Sequence, residues 1–194
     1  GTAVFNRPLE THPCVYRGRF VCLIKRKIVE MILKKASLED AEQLHEMQRR
    51  SFSQLLQKYQ DYETNPAAES LEKTIERLQR AGSDYYYIMV NGEKAGAIRV
   101  QRQEAECYRI GLYVLPEYQG NGYAQQALSA IEALYPFAKS WNLDTIKQEP
   151  KLCHLYEKMG YRRTGKENTI KEGMTLVFYE KLKKHGKDGK NGSL

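Results

Sequence analysis

Between residues 31 and 181 the apolar positions keep switching between two spacings. A spacing of three and four marks one face of a helix, and strict alternation marks one face of a strand. After a short apolar stretch at Met31, Ser37 precedes a run with Ala41, Leu44 and Met47 on one helical face. Asp40 stands three residues after Ser37, an acidic variant of the reciprocal capping arrangement. A second helix is expected over 66–80, with Pro66 in its first turn, Leu71, Ile75 and Leu78 on one face, and Gly82 beyond its end. The QKYQDYETN between them is polar and reads as a loop or a ragged helix end.

The pattern then turns to strands. YYYIMV (85–90) and AGAIRV (95–100) flank Asn91-Gly92, a strong hairpin signal. ECYRIGLYV (106–114) reads as a third strand, and its interior Gly111 as a bulge or a close backbone approach. A helix follows over 123–135, with Ala124, Ala127, Leu128, Ile131 and Leu134 as its stripe. Next come a strand near 142–147, a helix over 149–159 stopped by Gly160, and strands near 161–167 and 173–181. The order β-α-α-β-β-β-α-β-α-β-β predicts an α/β domain built on a mixed sheet.

Residues 1–30 follow neither period and hold Pro8 and Pro13. Met31, followed by a strand and a helix cap, looks like a protein start. The expected organisation is a non-native or flexible extension over 1–30, a domain over 31–181 and a basic flexible tail over 182–194; a genuine N-terminal extension is the alternative.

The net charge of +7 invites a nucleic-acid reading, but its distribution does not support one. Residues 1–30 and 181–194 each carry a surplus of four positive charges, leaving −1 for 31–180. No apolar run reaches the roughly 18 residues of a membrane span. The four cysteines, Cys14, Cys22, Cys107 and Cys153, form no CxxC pair. That spacing argues against a zinc site or a disulfide framework and predicts a reducing, cytoplasmic setting. No nucleic-acid, membrane or metal partner is therefore expected.

The chemistry concentrates in LYVLPEYQGNGYAQQAL (112–128), where a strand breaks at Pro116 and two glycines precede a helix. A helix start presents unpaired N–H groups and partial positive charge. A glycine loop ahead of it lets further amides approach a ligand unobstructed. Strand, glycine loop and helix together form an anion-binding device suited to pyrophosphate. The Walker pattern fails for want of its Lys and spacing, and the dinucleotide fingerprint fails because Gln125 stands at its third glycine.

Gln119, Gly120, Asn121, Gly122, Tyr123 and Ala124 fit Gln-x-x-Gly-x-Ala, with Val114 and Pro116 ahead of them. The stretch resembles the coenzyme-A signature of the GNAT superfamily, the acetyl-CoA-dependent N-acetyltransferases, and the likeness extends over nearly all of 31–180. The resemblance implies a sheet of about six to seven strands flanked by about four helices, with splayed central parallel strands. It also implies acetyl-CoA as co-substrate. The backbone of Leu112, Tyr113 and Val114 would then bond the pantetheine arm, with Gly111 helping the strand splay, and the amides of 119–124 would hold the pyrophosphate. An ordinary tight turn is the alternative for Gly120 and Gly122.

QEPKLCHLYEKMGY (148–161) is similar to a later motif of the same family. It puts Tyr156 at the tyrosine that protonates the departing thiolate in many members; a packed core tyrosine is the alternative. Glu149 and Pro150 stand around the family's pantetheine-binding asparagine, so that contact is not assigned. Glu106, which alternates onto one face with Tyr108, is the candidate general base, against a solvent-facing strand-end carboxylate. His45 and His154 read as helix-surface residues.

The expected reaction is direct acetyl transfer to a primary amine, small molecule or peptide, in a ternary complex. A non-catalytic acyl-CoA-binding or sensing module is the alternative. Asp61 and Glu63, with Tyr59 and Tyr62, are placed to line a site for a cationic amine or to be plain loop residues. A homodimer is left open.

Overall fold

A computed structural model describes residues 29–183. The expectations for the N-terminal segment up to residue 28 and for the tail from residue 184 fall outside the described residues. Seven strands and four α-helices follow one another in the predicted order. They are β1 (Met31–Lys35), α1 (Ala41–Tyr59), α2 (Leu71–Gln79), β2 (Ser83–Val90), β3 (Glu93–Glu104), β4 (Cys107–Val114), α3 (Tyr123–Leu134), β5 (Ser140–Ile146), α4 (Pro150–Lys158), β6 (Arg162–Lys171) and β7 (Met174–Leu182).

The strands form one sheet in the order β1-β2-β3-β4-β5-β7-β6. Among the described residues only β4 and β5 pair in parallel. Alternation along the strands divides the core between two faces. Ile88, Ile98, Val100 and Ile110 pack with Ala127, Leu128 and Ile131 of α3 and with Tyr156 of α4. Tyr85, Tyr87 and Ala97 pack on the other face with Leu44 and Met47 of α1. Burying each such large side chain contributes about 1.5–3 kcal/mol, so the amphipathic stripes suffice to seat helices on both faces. Among the described residues no helix is long and apolar enough to cross a membrane.

Several local expectations change. The cap forms as read, with the Ser37 amide donating to Asp40 Oδ2 at 2.8 Å, but it opens a 3-10 turn that leads into α1. The helix expected over 66–80 splits into a 3-10 turn, Pro66–Ala68, and α2. Asn65 caps the first through the Ala67 amide, while Glu69 takes extended geometry and Ser70 starts the second. α1 absorbs QKY and ends at Gln60, which adopts left-handed geometry. Gly111 is neither a bulge nor a close approach. It pairs in register with Arg99, and the register shifts lie elsewhere in the sheet. The close approach is at Gly96, where an added Cβ would collide with the Tyr113 carbonyl oxygen. β6 extends to Lys171 because KENTIK pairs with β7 as an exposed charged edge, without the apolar alternation that marks a strand.

Candidate active site

β4 and β5 pair only from Cys107↔Ser140 to Arg109↔Asn142. Beyond that the two strands diverge, while β4 stays paired to β3 as far as Val114. The backbone of 110–114 thus has an edge with no strand against it among the described residues. A cavity of about 860 Å³ opens there and extends to the first turn of α3.

Two independent features shape the far end of this cavity. Gly120 (φ 77°) and Gly122 (φ 79°) are both left-handed, and neither would find an atom within 4 Å of an added Cβ. Gly122 is also the N-cap of α3 and offers no side chain to its amides. The loop therefore leaves donors uncovered, as an anion cradle requires. Its own side chains hold it in shape. Gln119 Nε2 donates to the Val114 carbonyl at 2.9 Å, and Asn121 Nδ2 donates to the Tyr118 and Gln119 carbonyls. Asn121 is exposed and points away from the lining. Leu112 and Val114 pack on the α3 face. Tyr113 turns to the opposite face and donates to the Leu44 carbonyl at 2.9 Å.

Tyr156 lines the cavity from α4, buried, with its ring against Tyr161 at 6.2 Å and Tyr179 at 6.1 Å. Burial, reinforced by the charges of Asp144 and Cys153, pushes the phenol above its ordinary range. Tyr156 is therefore protonated at any physiological pH.

Glu106 lies elsewhere. It occupies the β3–β4 turn with φ 64°, not β4, and does not line the cavity. Its exposed carboxylate pairs with Lys139. The strand starts one residue later than expected because β3 and β4 close a tight hairpin there. Asp61 lines the cavity, but its carboxylate accepts from the Glu63 and Thr64 amides and the Thr64 hydroxyl. Tyr59 donates to Glu149, which also pairs with Lys58 and so ties the start of α4 to the end of α1. Tyr62 and His154 are exposed.

Several charged lining residues carry no signal in the motifs, among them Arg77, Arg99, Arg109, Glu69 and Asp144. The Arg109 guanidinium pairs with Asp144 across the divergence of β4 and β5. Arg77 makes a two-pronged pair with Glu69, at 2.5 and 2.7 Å, and Gln48 donates to the same carboxylate at 3.0 Å. Arg99 lies between these pairs. The signal was present in the strands, where Arg99 and Arg109 alternate with the core residues Ile98, Val100 and Ile110.

The Glu69–Arg77 pair supports the α2 wall. Burial alone would raise the Glu69 carboxyl, but Arg77, Lys73 and Gln48 outweigh it and hold the carboxyl below its usual value. Arg77→Met leaves a carboxylate with 9% side-chain exposure without its guanidinium and should cost about 3 kcal/mol at neutral pH. A depressed carboxylate stabilises above its unfolded pKa and loses that contribution as pH falls through the folded value. Denaturant titrations should show the gap between variant and parent closing in acid. A gap unchanged from pH 7 to the acid limit would exclude the ion pair as its source.

A family model described as Acetyltransferase (GNAT) domain matches residues 36–183. The chain belongs to the GNAT acetyltransferase family. It is an acyltransferase, and its co-substrate is acetyl-CoA. The GNAT sheet and helices recur in solved structures at low identity. An acetyltransferase from Thermus thermophilus superposes with a TM-score of 0.61 at 20% identity, over 78% of this chain and 96% of that one. The ribosomal L7/L12 alpha-N-protein acetyltransferase RimL, in complex with coenzyme A, gives 0.60 at 17% over 78% and 93%. A dodecameric spermidine N-acetyltransferase from Vibrio cholerae gives 0.60 at 15% over 78% and 93%. No curated protein matches the sequence. The cavity fits the co-substrate on its own terms, with an unpaired strand edge for an amide-bearing arm and an uncapped helix start for phosphates.

Proposed function

We propose that this GNAT protein moves the acetyl group of acetyl-CoA to a primary amine by direct attack in a ternary complex. The observation that carries the reading is the diverging edge of β4 running into the uncapped start of α3 within one cavity. In this reading the backbone of Leu112, Tyr113 and Val114 bonds the pantetheine arm as an added strand would. The backbone amides of Gly120, Asn121, Gly122, Tyr123 and Ala124 surround the pyrophosphate, whereas that of Gln119 already donates to the Pro116 carbonyl. Tyr156 donates a hydrogen bond to the sulfur as negative charge builds on it. The named acceptors of two neighbours, a protein N-terminus and spermidine, are both amines, in keeping with this class.

The amine must lose a proton to attack. Among the described residues every carboxylate lining the cavity is already engaged: Asp61 by its own loop, Glu69 by Arg77, Asp144 by Arg109 and Glu149 by Lys58. In place of Glu106 or another carboxylate, water in the open cavity takes the proton. The value of kcat/KM should then rise with pH along the acceptor's own titration, and Tyr156 should add no alkaline limb below about pH 10, since its phenol is raised. Acceptors of different basicity test this. A limb that moves with the amine supports it, and a limb fixed across acceptors reveals a base on the protein.

A thiol-release screen with acetyl-CoA against a panel of amines tests the reaction itself. With both substrates varied, initial rates should give intersecting lines; parallel lines would indicate an acetyl-enzyme.

A further inference from the structure

Among the described residues Arg99 is the one guanidinium in the cavity without a carboxylate. Across β2, β3 and β4, Tyr85, Arg99 and Gly111 stand in one row. The row lies on the face covered by α1, two residues beyond the last β4–β5 pair, Arg109↔Asn142. Its neighbours are already matched, Arg77 to Glu69 and Arg109 to Asp144. Within the described residues the Arg99 side chain forms no salt bridge, and its one hydrogen bond runs from Nη1 to Gln101 Oε1 at 3.1 Å. Gly111 is its cross-strand partner. A Cβ there would stand 3.7 Å from Arg99 Nε and 3.9 Å from Nη2, so the guanidinium lies along bare backbone and lines the cavity. Burial holds Arg99 below its usual range, which marks its charge as a cost in the ligand-free protein. Of the three guanidiniums in the cavity Arg99 alone has no carboxylate opposite it, and it stands on the strand next to the open β4 edge.

We infer that Arg99 receives an anionic group of the acceptor, so that the amine acetylated is one carrying a carboxylate or phosphate close to its nitrogen. The inference rests on the transferase reading, because the β4 edge fixes where the amine must arrive. Adjacent strands lie about 4.8 Å apart, so an anion on Arg99 sits only a few bonds from an amine at that edge. An α-amino acid or a short aminoalkyl phosphate has this spacing. A planar fork of donors suits either oxyanion. Phe52 and Leu55 of α1 line the same cavity and offer apolar contact to the rest of such a molecule. Asp61, whose carboxylate is taken up by the Glu63 and Thr64 amides and the Thr64 hydroxyl, is less available to a cationic acceptor than Arg99 is to an anionic one.

The test compares acceptors with and without the anion, each kcat/KM expressed per unprotonated amine so that basicity is removed: L-methionine with L-methioninamide, and O-phosphoethanolamine with ethanolamine, with spermidine as a cationic control. At least one anionic member should exceed its neutral partner in kcat/KM by roughly 30-fold or more, the range of one charge-assisted contact. The pair that shows the preference tells carboxylate from phosphate. Arg99→Gln should erase the preference, leave the KM for acetyl-CoA unchanged and melt no lower than the parent, while Arg99→Lys should keep part of the preference. If neutral amines or spermidine are turned over as well as the anionic members, and Arg99→Gln does not alter the ranking, the inference fails while the transferase reading stands. If Arg99→Gln unfolds the protein, Arg99 is structural and the inference also fails. If acetyl-CoA binds but no amine in the panel is acetylated, the transferase reading fails and takes this inference with it.

Discussion

Gly122→Trp is expected to abolish coenzyme A binding while the domain stays folded. The residue caps α3 at φ 79°, with no atom within 4 Å of an added Cβ, so an indole placed there meets no protein atom at its root. It fills the space where the proposed phosphates would sit. The left-handed backbone is the only direct cost to folding, about 1–2 kcal/mol for a non-glycine residue. Binding should suffer far more. Two or three hydrogen bonds to a charged group, at about 1.5–3 kcal/mol each, amount to a loss of roughly a thousandfold or more. Gly122→Ala separates the two effects, since it carries the same backbone strain with little obstruction. Calorimetry on both variants, alongside melting curves, reads the outcome. Unchanged coenzyme A affinity in a folded Gly122→Trp protein would mean the loop is not the cradle.

Tyr156→Phe should lower the catalytic rate by about 10²–10⁴-fold, the range for one lost proton donor, and should weaken acetyl-CoA binding much less. The ring contacts with Tyr161 and Tyr179 survive the change, so a fall in rate is not explained by a cavity. Because the parent phenol is raised and stays protonated, the deficit should be constant from pH 6 to 9. Parental turnover across that range would make Tyr156 structural and leave the thiolate to take its proton from water.

The sequence made the order of elements legible because helices and strands here are amphipathic with different periods, and each period survives in single residues such as Leu44, Ile98 and Leu128. The glycine loop was legible for another reason. Two left-handed residues and an uncapped helix start are local features, and local features are written in consecutive residues. What escaped depends on register. Arg99 meets Gly111 and Tyr85 only through strand pairing, and Arg109 meets Asp144 only where β4 and β5 begin to part. Glu69 falls in the first turn of the helix expected over 66–80, yet it is the extended residue between two helical turns, where its carboxylate meets Arg77. Glu106 lies outside the cavity because it stands in the β3–β4 turn, where strand alternation does not apply. Charged residues at interior strand positions, such as Arg99 and Arg109, are the signal for that face.

In the proposed reaction acetyl leaves coenzyme A and arrives on an amine without stopping on the protein. Mass spectrometry of a complete reaction mixture, quantified against thiol release, tests it most directly. Direct transfer should give one N-acetylated amine for each thiol released and no acetyl group on the protein at any time. Thiol release without acetylated amine, or acetyl-CoA that binds and persists intact beside every amine supplied, would contradict it.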